Sequence, residues 1–268
     1  MRVVTGLRPY RPTGFVLRAE AFGDKTLIHN YGHGGGGITL SWGTSQWSPA
    51  SFFDEDAVDE GFYNTLGIAM RHSYNEFQNL VGPHYGVRWV SNYLLSDSPI
   101  RDSDMRLRYP DMFPELRSMS PREHPFPATH ALHFDTMFIE PPVYLPAIMR
   151  DFRIAGGRIN VRAFAAELHT LDEPVIVNCT GLGSYSLFDD KEMFPVKGQL
   201  VVLKPEADIN YLMINRGFYM FPRQDGVLLG GTFDKHDWSL EADPAETARI
   251  LEQHAGFFRD MEDPWETG

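Results

Sequence analysis

Two stretches carry residue types that could hold a ligand. Residues 29 to 43 read His-Asn-Tyr-Gly-His-Gly-Gly-Gly-Gly-Ile-Thr-Leu-Ser-Trp-Gly, and residues 6 to 12 read Gly-Leu-Arg-Pro-Tyr-Arg-Pro. Glycine alone lets a backbone sample positive φ while passing close to a bulky planar or phosphorylated group, so Gly32, Gly34, Gly35, Gly36 and Gly37 suggest a cradling loop. A surface linker would be Gly/Ser-rich and polar, whereas this run is flanked by Leu27, Ile28, Tyr31, Ile38, Leu40 and Trp42, which want burial. In the other stretch, Pro9 and Pro12 stiffen the chain beside Arg8 and Arg11. Such rigidity suits bidentate capture of a carboxylate or phosphate, and an exposed turn with solvated charges accounts for it equally well.

Residues 32 to 37 formally satisfy G-x-G-x-x-G, with Asp54 to Asp56 not far beyond. That pattern identifies a dinucleotide site only between a strand and a helix, and Trp42, Gly43, Trp47 and Pro49 make a poor helix. A nest of successive N–H groups that cradles phosphate needs no such turn. His29 and His33 are four apart, a spacing that aligns metal ligands only on a helix, so they read as hydrogen-bonding histidines. No metal site is expected.

Composition narrows the partners. With 268 residues and 43% hydrophobic content the chain can bury a large core, as one domain or as two interlocked lobes. The net charge of −12 argues against nucleic acid or an anionic membrane surface. The single cysteine, Cys179, excludes an internal disulfide and a cysteine-cluster metal site, and a reducing, cytoplasmic setting is the simplest expectation. No apolar run approaches the ~20 residues of a membrane span. The first residues lack the charged region, apolar region and cleavage site of a signal peptide.

The elements that must position these residues follow from periodicity. Phe15 to Ala19 and Thr26 to Tyr31 read as strands around a turn at Phe22 to Lys25, the second leading into the glycines. Phe62, Leu66, Met70, Tyr74, Phe77 and Leu80 give a helical apolar face, with Asp54 to Asp56, Asp59 and Glu60 as its solvated acidic start. Val87 to Leu95 and Ala131 to Phe138 read as strands. Residues 96 to 127, with six prolines, read as a long functional or mobile connection. A helix is expected over Val143 to Arg153 and a short strand over Arg158 to Val161. Pro174 to Thr180 is a continuous apolar run of the kind a parallel strand buried on both faces shows, with Gly181 and Gly183 just past its end, where α/β sheets bind ligands. Val196 to Leu203, Phe218 to Pro222 and Val227 to Phe233 read as antiparallel strands. Asp243-Pro244 starts a helix whose buried face is Ile250, Leu251, His254, Phe257 and Phe258.

Four segments then read together: residues 6 to 12, Ile28 to Gly43, Val175-Ile-Val-Asn-Cys-Thr-Gly181, and Pro195-Val-Lys-Gly-Gln199 with Leu229-Gly-Gly-Thr232. They resemble the D-amino-acid oxidase family of FAD-dependent oxidoreductases. The resemblance implies a mixed α/β fold in which an incomplete FAD-binding lobe interleaves with an antiparallel-sheet substrate lobe. Residues 1–50 and 150–195 would form the flavin side, and 84–145 with 196–240 the substrate side. Helices from 51–83 and 243–261 would pack on both. It implies oxidative deamination of a D-amino acid, with hydride passing to FAD and then to O2, and it is compatible with a homo-oligomer.

Residue by residue, Arg8 matches the family's substrate-carboxylate clamp. Gly35 matches the glycine whose carbonyl receives the substrate amine, and Tyr219 matches a tyrosine near the substrate. Gly34, Gly35, Gly37, Ile38 and Thr39 match the flavin-contacting loop, and Val161, Thr180 and Gly181 match contacts on the adenine and ribose side. A second active-site tyrosine has no counterpart, since Asn215 stands there. The Arg8 and glycine-loop segments open this sequence where they usually close the family's, as in a circular permutation. The βαβ unit that holds the ADP moiety is not found; the chain passes from Gln46 straight to Trp47-Ser-Pro49 where that unit would intervene. Two further readings stand beside the oxidase: a non-catalytic, carboxylate-binding or interaction protein of oxidase ancestry, and an NAD-dependent dehydrogenase, which would need the same unit.

Overall fold

The computed structural model of the chain describes residues 1–37, 53–100, 104–161, 168–215 and 217–261. Their strands form two sheets. The large sheet has nine strands, with β1 (Arg2–Tyr10), β8 (Phe194–Val202), β11 (Gly226–Gly230), β10 (Phe218–Arg223), β9 (Tyr211–Asn215), β4 (Val87–Ser96), β6 (His130–Ile139) and β5 (Arg117–Met119) in spatial order, and β12 (Asp234–Lys235) beside β8. Every pairing in it is antiparallel except β4 with β9. The small sheet contains the hairpin β2 (Val16–Phe22) and β3 (Lys25–Tyr31), turned at Gly23 with φ +65°, and β7 (Val175–Asn178) parallel to β3.

Side-chain alternation sorts the core of the large sheet onto its two faces. Val201, Met213, Met220 and Leu229 point to one face, where helix α5 (Pro244–Arg259) covers them with Ile250 and partly buried Leu251, Phe257 and Phe258. Val202, Leu212, Phe221 and Leu228 point to the other. Helix α1 (Glu60–Asn79) starts at Asp59, whose carboxylate accepts from the Phe62 N–H, and buries Tyr63, Leu66, Met70 and Phe77. Helix α3 (Pro141–Ile154) places Pro141 in its first turn, where the missing N–H costs nothing, and so begins two residues earlier than the apolar pattern suggests.

Several expectations need correction. Residues 6 to 12 are largely strand: β1 pairs with β8 along its whole length, Pro9 opposite Pro195. The edge position reconciles proline with a strand, since an edge N–H can be absent without loss of a ladder bond. The long proline-rich connection holds α2 (Asp104–Arg108), a 3-10 turn at Pro110–Met112 and β5, with Tyr109, Met112 and Phe113 buried against α1. Residues 158 to 161 belong to no strand. Strand β7 is parallel as expected but buried on one face only: Ile176 and Asn178 are covered, while Val175 and Val177 are 53% and 54% exposed. An apolar run signals that both faces tolerate burial; whether a layer covers each is decided by other parts of the chain. Strand β9 was not anticipated.

Candidate functional site

The site is built on the row of β8 residues that share one face, Val196, Gly198 and Leu200. Arg8 lies opposite Val196, Gly230 opposite Leu200, and Tyr219 opposite Gly230, so Arg8 and Tyr219 project from the same face with β8 and β11 between them. Glycine is required along this floor by close approach. A Cβ at Gly198 would come within 2.8 Å of Arg8 Nη2, and one at Gly230 within 2.1 Å of the Tyr219 ring. The Tyr219 hydroxyl lies over Gly231, 2.7 Å from where its Cβ would be.

Arg8 is held by main-chain acceptors rather than by a carboxylate. Its Nη2 donates to Thr232 O at 2.6 Å and to Lys197 O at 3.3 Å, its Nε to Val196 O at 3.4 Å, and its guanidinium lies 5.0 Å from the Phe233 ring centroid. Burial pulls its pKa down, against smaller opposing effects of Tyr219 and Asp234. An arginine so placed remains cationic and under-neutralised, the condition for binding an anion. Burial likewise pushes the Tyr219 phenol up, countered in part by Arg8, so the phenol keeps its proton at neutral pH. The Tyr219 ring stacks on Phe221 at 4.7 Å and 19°.

The glycine loop joins the sheet beside this row. Tyr10, two residues beyond Arg8 and on the same face, bridges to His33, and its ring meets Phe233, which also lies against Arg8. From His33 the chain makes a 3-10 turn over Gly34–Gly36 in which Gly34 and Gly36 are buried and Gly35 is exposed; a Cβ at Gly37 would meet nothing within 4 Å. His33 stacks on Phe15 at 5.1 Å, and burial lowers its pKa to about 4. Ile38 and Thr39 lie outside the described residues.

On the other side of β1, the turn Gly181–Gly183, which leads into the short helix α4 (Ser184–Leu187), packs on Pro9, which is 3.6 Å from a Cβ placed on Gly181; Gly181 has φ +54°. Thr180 Oγ1 donates to Asn178 Oδ1 at 2.7 Å and also meets Ser184 Oγ at 2.9 Å. Asn178 Nδ2 reaches His29 Nδ1 at 3.1 Å, and His29 Nε2 faces Glu20 at 3.1 Å. His29 is thus a buried hydrogen-bonding residue. Among the described residues no group of three or more His, Cys, Asp and Glu side chains is placed to hold a metal. None of the described helices is long and apolar enough to cross a membrane.

The structure therefore gathers Arg8, Tyr219, the start of the glycine loop and the Thr180–Gly181 turn around β1 and its neighbours. Val161 stands apart, 97% exposed. Sequence reasoning missed Thr232 and Phe233 as the partners of Arg8 and Gly198 as the space it fills, although the Lys-Gly-Gln and Gly-Gly-Thr signals bracket all three.

Arg8 and a protonated Tyr219 thus lie over glycines on one face of the large sheet. The family model described as FAD dependent oxidoreductase matches residues 57–266, and the chain belongs to that family. Val161, Thr180, Gly181 and Tyr219 fall inside the matched span, and Arg8 and the glycine loop precede it. A D-amino-acid oxidase of Streptomyces coelicolor is 35% identical over 147 residues, 53% of this chain and 45% of that protein. A human D-aspartate oxidase is 35% identical over 121 residues, 44% of this chain and 35% of that protein. The chain thus spans less than half the length of either relative. The iminodiacetate oxidase of Chelativorans sp. shares the fold, with a TM-score of 0.54 at 14% identity, over 87% of this chain and 72% of that one.

Proposed function

We propose that the chain oxidises D-amino acids: D-amino acid, O2 and H2O become 2-oxo acid, NH3 and H2O2. The observation that carries this reading is Arg8, a part-buried cation whose contacts are carbonyl oxygens and a ring, facing Tyr219 across glycine. A planar guanidinium with donors to spare suits a carboxylate, and a phenol that keeps its proton can donate to the same group. Gly35, with its exposed backbone, would receive the substrate amine. Holding the carboxylate and the amine at two points fixes which hydrogen of the α-carbon faces the oxidant, so the protein contributes orientation and no acid–base pair is required.

FAD, when bound, accepts the hydride and passes the electrons to O2. The exposed backbone of Gly35 and the space that the described residues leave at Gly37 fit a planar ring, and we assign that side to Gly34, Gly35, Gly37, Ile38 and Thr39, with Thr180 and Gly181 toward the ribose. The flavin-side lobe is then built on the small sheet and the glycine loop, and the substrate-side lobe on the strands from β4 to β6 and β8 to β11. Val161 is not enclosed by the described residues and offers no adenine pocket among them.

The test is peroxide release from protein supplied with excess FAD and a panel of neutral and acidic D-amino acids. Turnover of D- but not L-isomers is expected, and FAD-saturated protein inert to the panel overturns the reading. One observation favours a second reading, an oxidase-derived protein that no longer retains FAD: Val175 and Val177 leave the outer face of the small sheet uncovered. Protein that stays colourless after FAD addition and gel filtration, yet binds carboxylates, supports it.

A further inference from the structure

Helix α5 lies behind the large sheet, on the face opposite Arg8 and Tyr219, and it is fastened there at three points. At its start, Gln199 donates to Asp243 O at 2.8 Å and to Thr247 Oγ1 at 2.9 Å, and accepts from the Asp243 N–H at 2.8 Å. Further along, Arg249 Nη2 donates to Gly231 O at 3.3 Å. Five residues on, His254, 2% exposed, sets Nδ1 2.7 Å from Ile250 O and Nε2 3.1 Å from Tyr219 O; burial favours the neutral ring, which has a single N–H and donates to one of these two carbonyls. The last two fastenings end on the main chain of the two residues whose separation sets the height of the phenol above its glycine floor.

We propose that His254, in the tautomer with its proton on Nε2, is a positioning residue for Tyr219: from the back of the sheet it anchors the main chain that carries the phenol, and so holds that phenol in register with Gly230, Gly231 and Arg8. The role of the phenol in turnover rests on the oxidase reading above; the anchoring does not. Tyr219 is paired with both β9 and β11, so His254 adds a donor to a carbonyl already in the ladder, and losing that buried bond lets strand β10 shift locally. The ring is also packed by aromatic neighbours, edge-on to Phe218 at 5.0 Å and stacked on Phe258 at 6.4 Å. Because Gln199 fastens the helix independently, the anchor can be removed without undocking α5. His254→Phe keeps the aromatic volume and loses both ring nitrogens. His254→Gln keeps one amide donor of similar reach.

The experiment uses full-length protein labelled with fluorotyrosine, the resonance of Tyr219 being assigned by its loss in Tyr219→Phe. His254→Phe is expected to shift or broaden that resonance while those of Tyr31, Tyr63 and Tyr144 stay in place, and His254→Gln to return it toward the wild-type position. An unmoved Tyr219 resonance in a folded His254→Phe protein overturns the proposal, as does a uniform change in all tyrosines. If His254→Phe does not fold, the decision passes to His254→Gln. A Tyr219 resonance displaced by less than in any other variant of α5 then counts for the anchor, and one indistinguishable from His254→Ala counts against it. Where turnover is measurable, His254→Phe should lower kcat/KM about tenfold, the worth of one hydrogen bond, and have no further effect in a Tyr219→Phe background. Additive losses overturn the coupling. A wild-type protein without oxidase activity removes the functional reading alone, since the fluorine spectra still decide the anchor.

Discussion

The two sheets differ in how completely they are enclosed. Along the row that carries Arg8 and Tyr219, residues of the large sheet are matched across four strands, backed by α5, and fitted so closely that a Cβ at Gly198 or Gly230 would displace Arg8 or Tyr219. The small sheet has one buried face, holding Leu27, His29, Ile176 and Asn178, and one face left to solvent at Leu17, Val175 and Val177. Among the described residues the large sheet is thus covered where Arg8 and Tyr219 stand, while the small sheet lacks the second layer that doubly covered parallel sheets have.

The contrast can be broken or sharpened by experiment. The largest effect is expected at Arg8. Arg8→Leu should lower kcat/KM for D-amino acids about 100-fold or more, because it removes a desolvated charge partner of the substrate, whereas Arg8→Lys, which keeps charge without the fork, should fall between. A loss of only a few fold would move carboxylate binding away from the large sheet.

Next in size is the response of the junction to acid. His33, where the glycine loop meets β1, has its pKa lowered by burial from 6.5 to about 4. Unfolded chains bind a proton there between these values and the folded protein does not. Stability therefore falls as pH drops through that window, by about 3 kcal/mol in all. Urea midpoints at pH 7 and pH 4 should converge in His33→Phe relative to wild type, since the stacking on Phe15 is kept and the titration is gone. Equal slopes in both proteins would show that the junction is not buried.

Gly230→Ala should cost about 1–3 kcal/mol in denaturant titration, because the new methyl meets the Tyr219 ring and the stacked Phe221 leaves it little room to retreat. The smallest effect belongs to the small sheet. Val177→Thr should change stability by no more than about 0.5 kcal/mol, as at an ordinary surface position, against roughly 1 kcal/mol for the neighbouring Ile176→Val. A larger cost at Val177 would mean that this face is covered in the folded protein.

Legibility in the sequence followed the same divide between local and distant causes. Helices α1 and α5 could be read because a 3.6-residue apolar period, an Asp cap and a first-turn proline are all written within one segment. Both Ile250 and His254 were recognised as buried, but the partner of His254, a carbonyl on a strand 35 residues earlier, leaves no local mark. Strand β1 was obscured by Pro9 and Pro12, which argue against a strand unless it lies at an edge, and its edge position is set by β8. The apolar run before Gly181 identified a parallel strand but could not reveal how many layers would cover it. Arg8 and the two glycine turns stand out by short motifs and Tyr219 by the family resemblance, and their convergence on β1 depends on pairings that no window of sequence contains.

The pairing of β1 with β8 has a kinetic cost. Arg2 to Tyr10 meet partners roughly 190 residues away, so during synthesis Arg8 lies on an unpaired, proline-bearing ribbon until β8 has been made. Loops of that length close late, which makes the contacts of Arg8 with Val196, Lys197 and Thr232 among the last to assemble and gives refolding yield, rather than melting temperature, as the quantity most sensitive to changes in this segment.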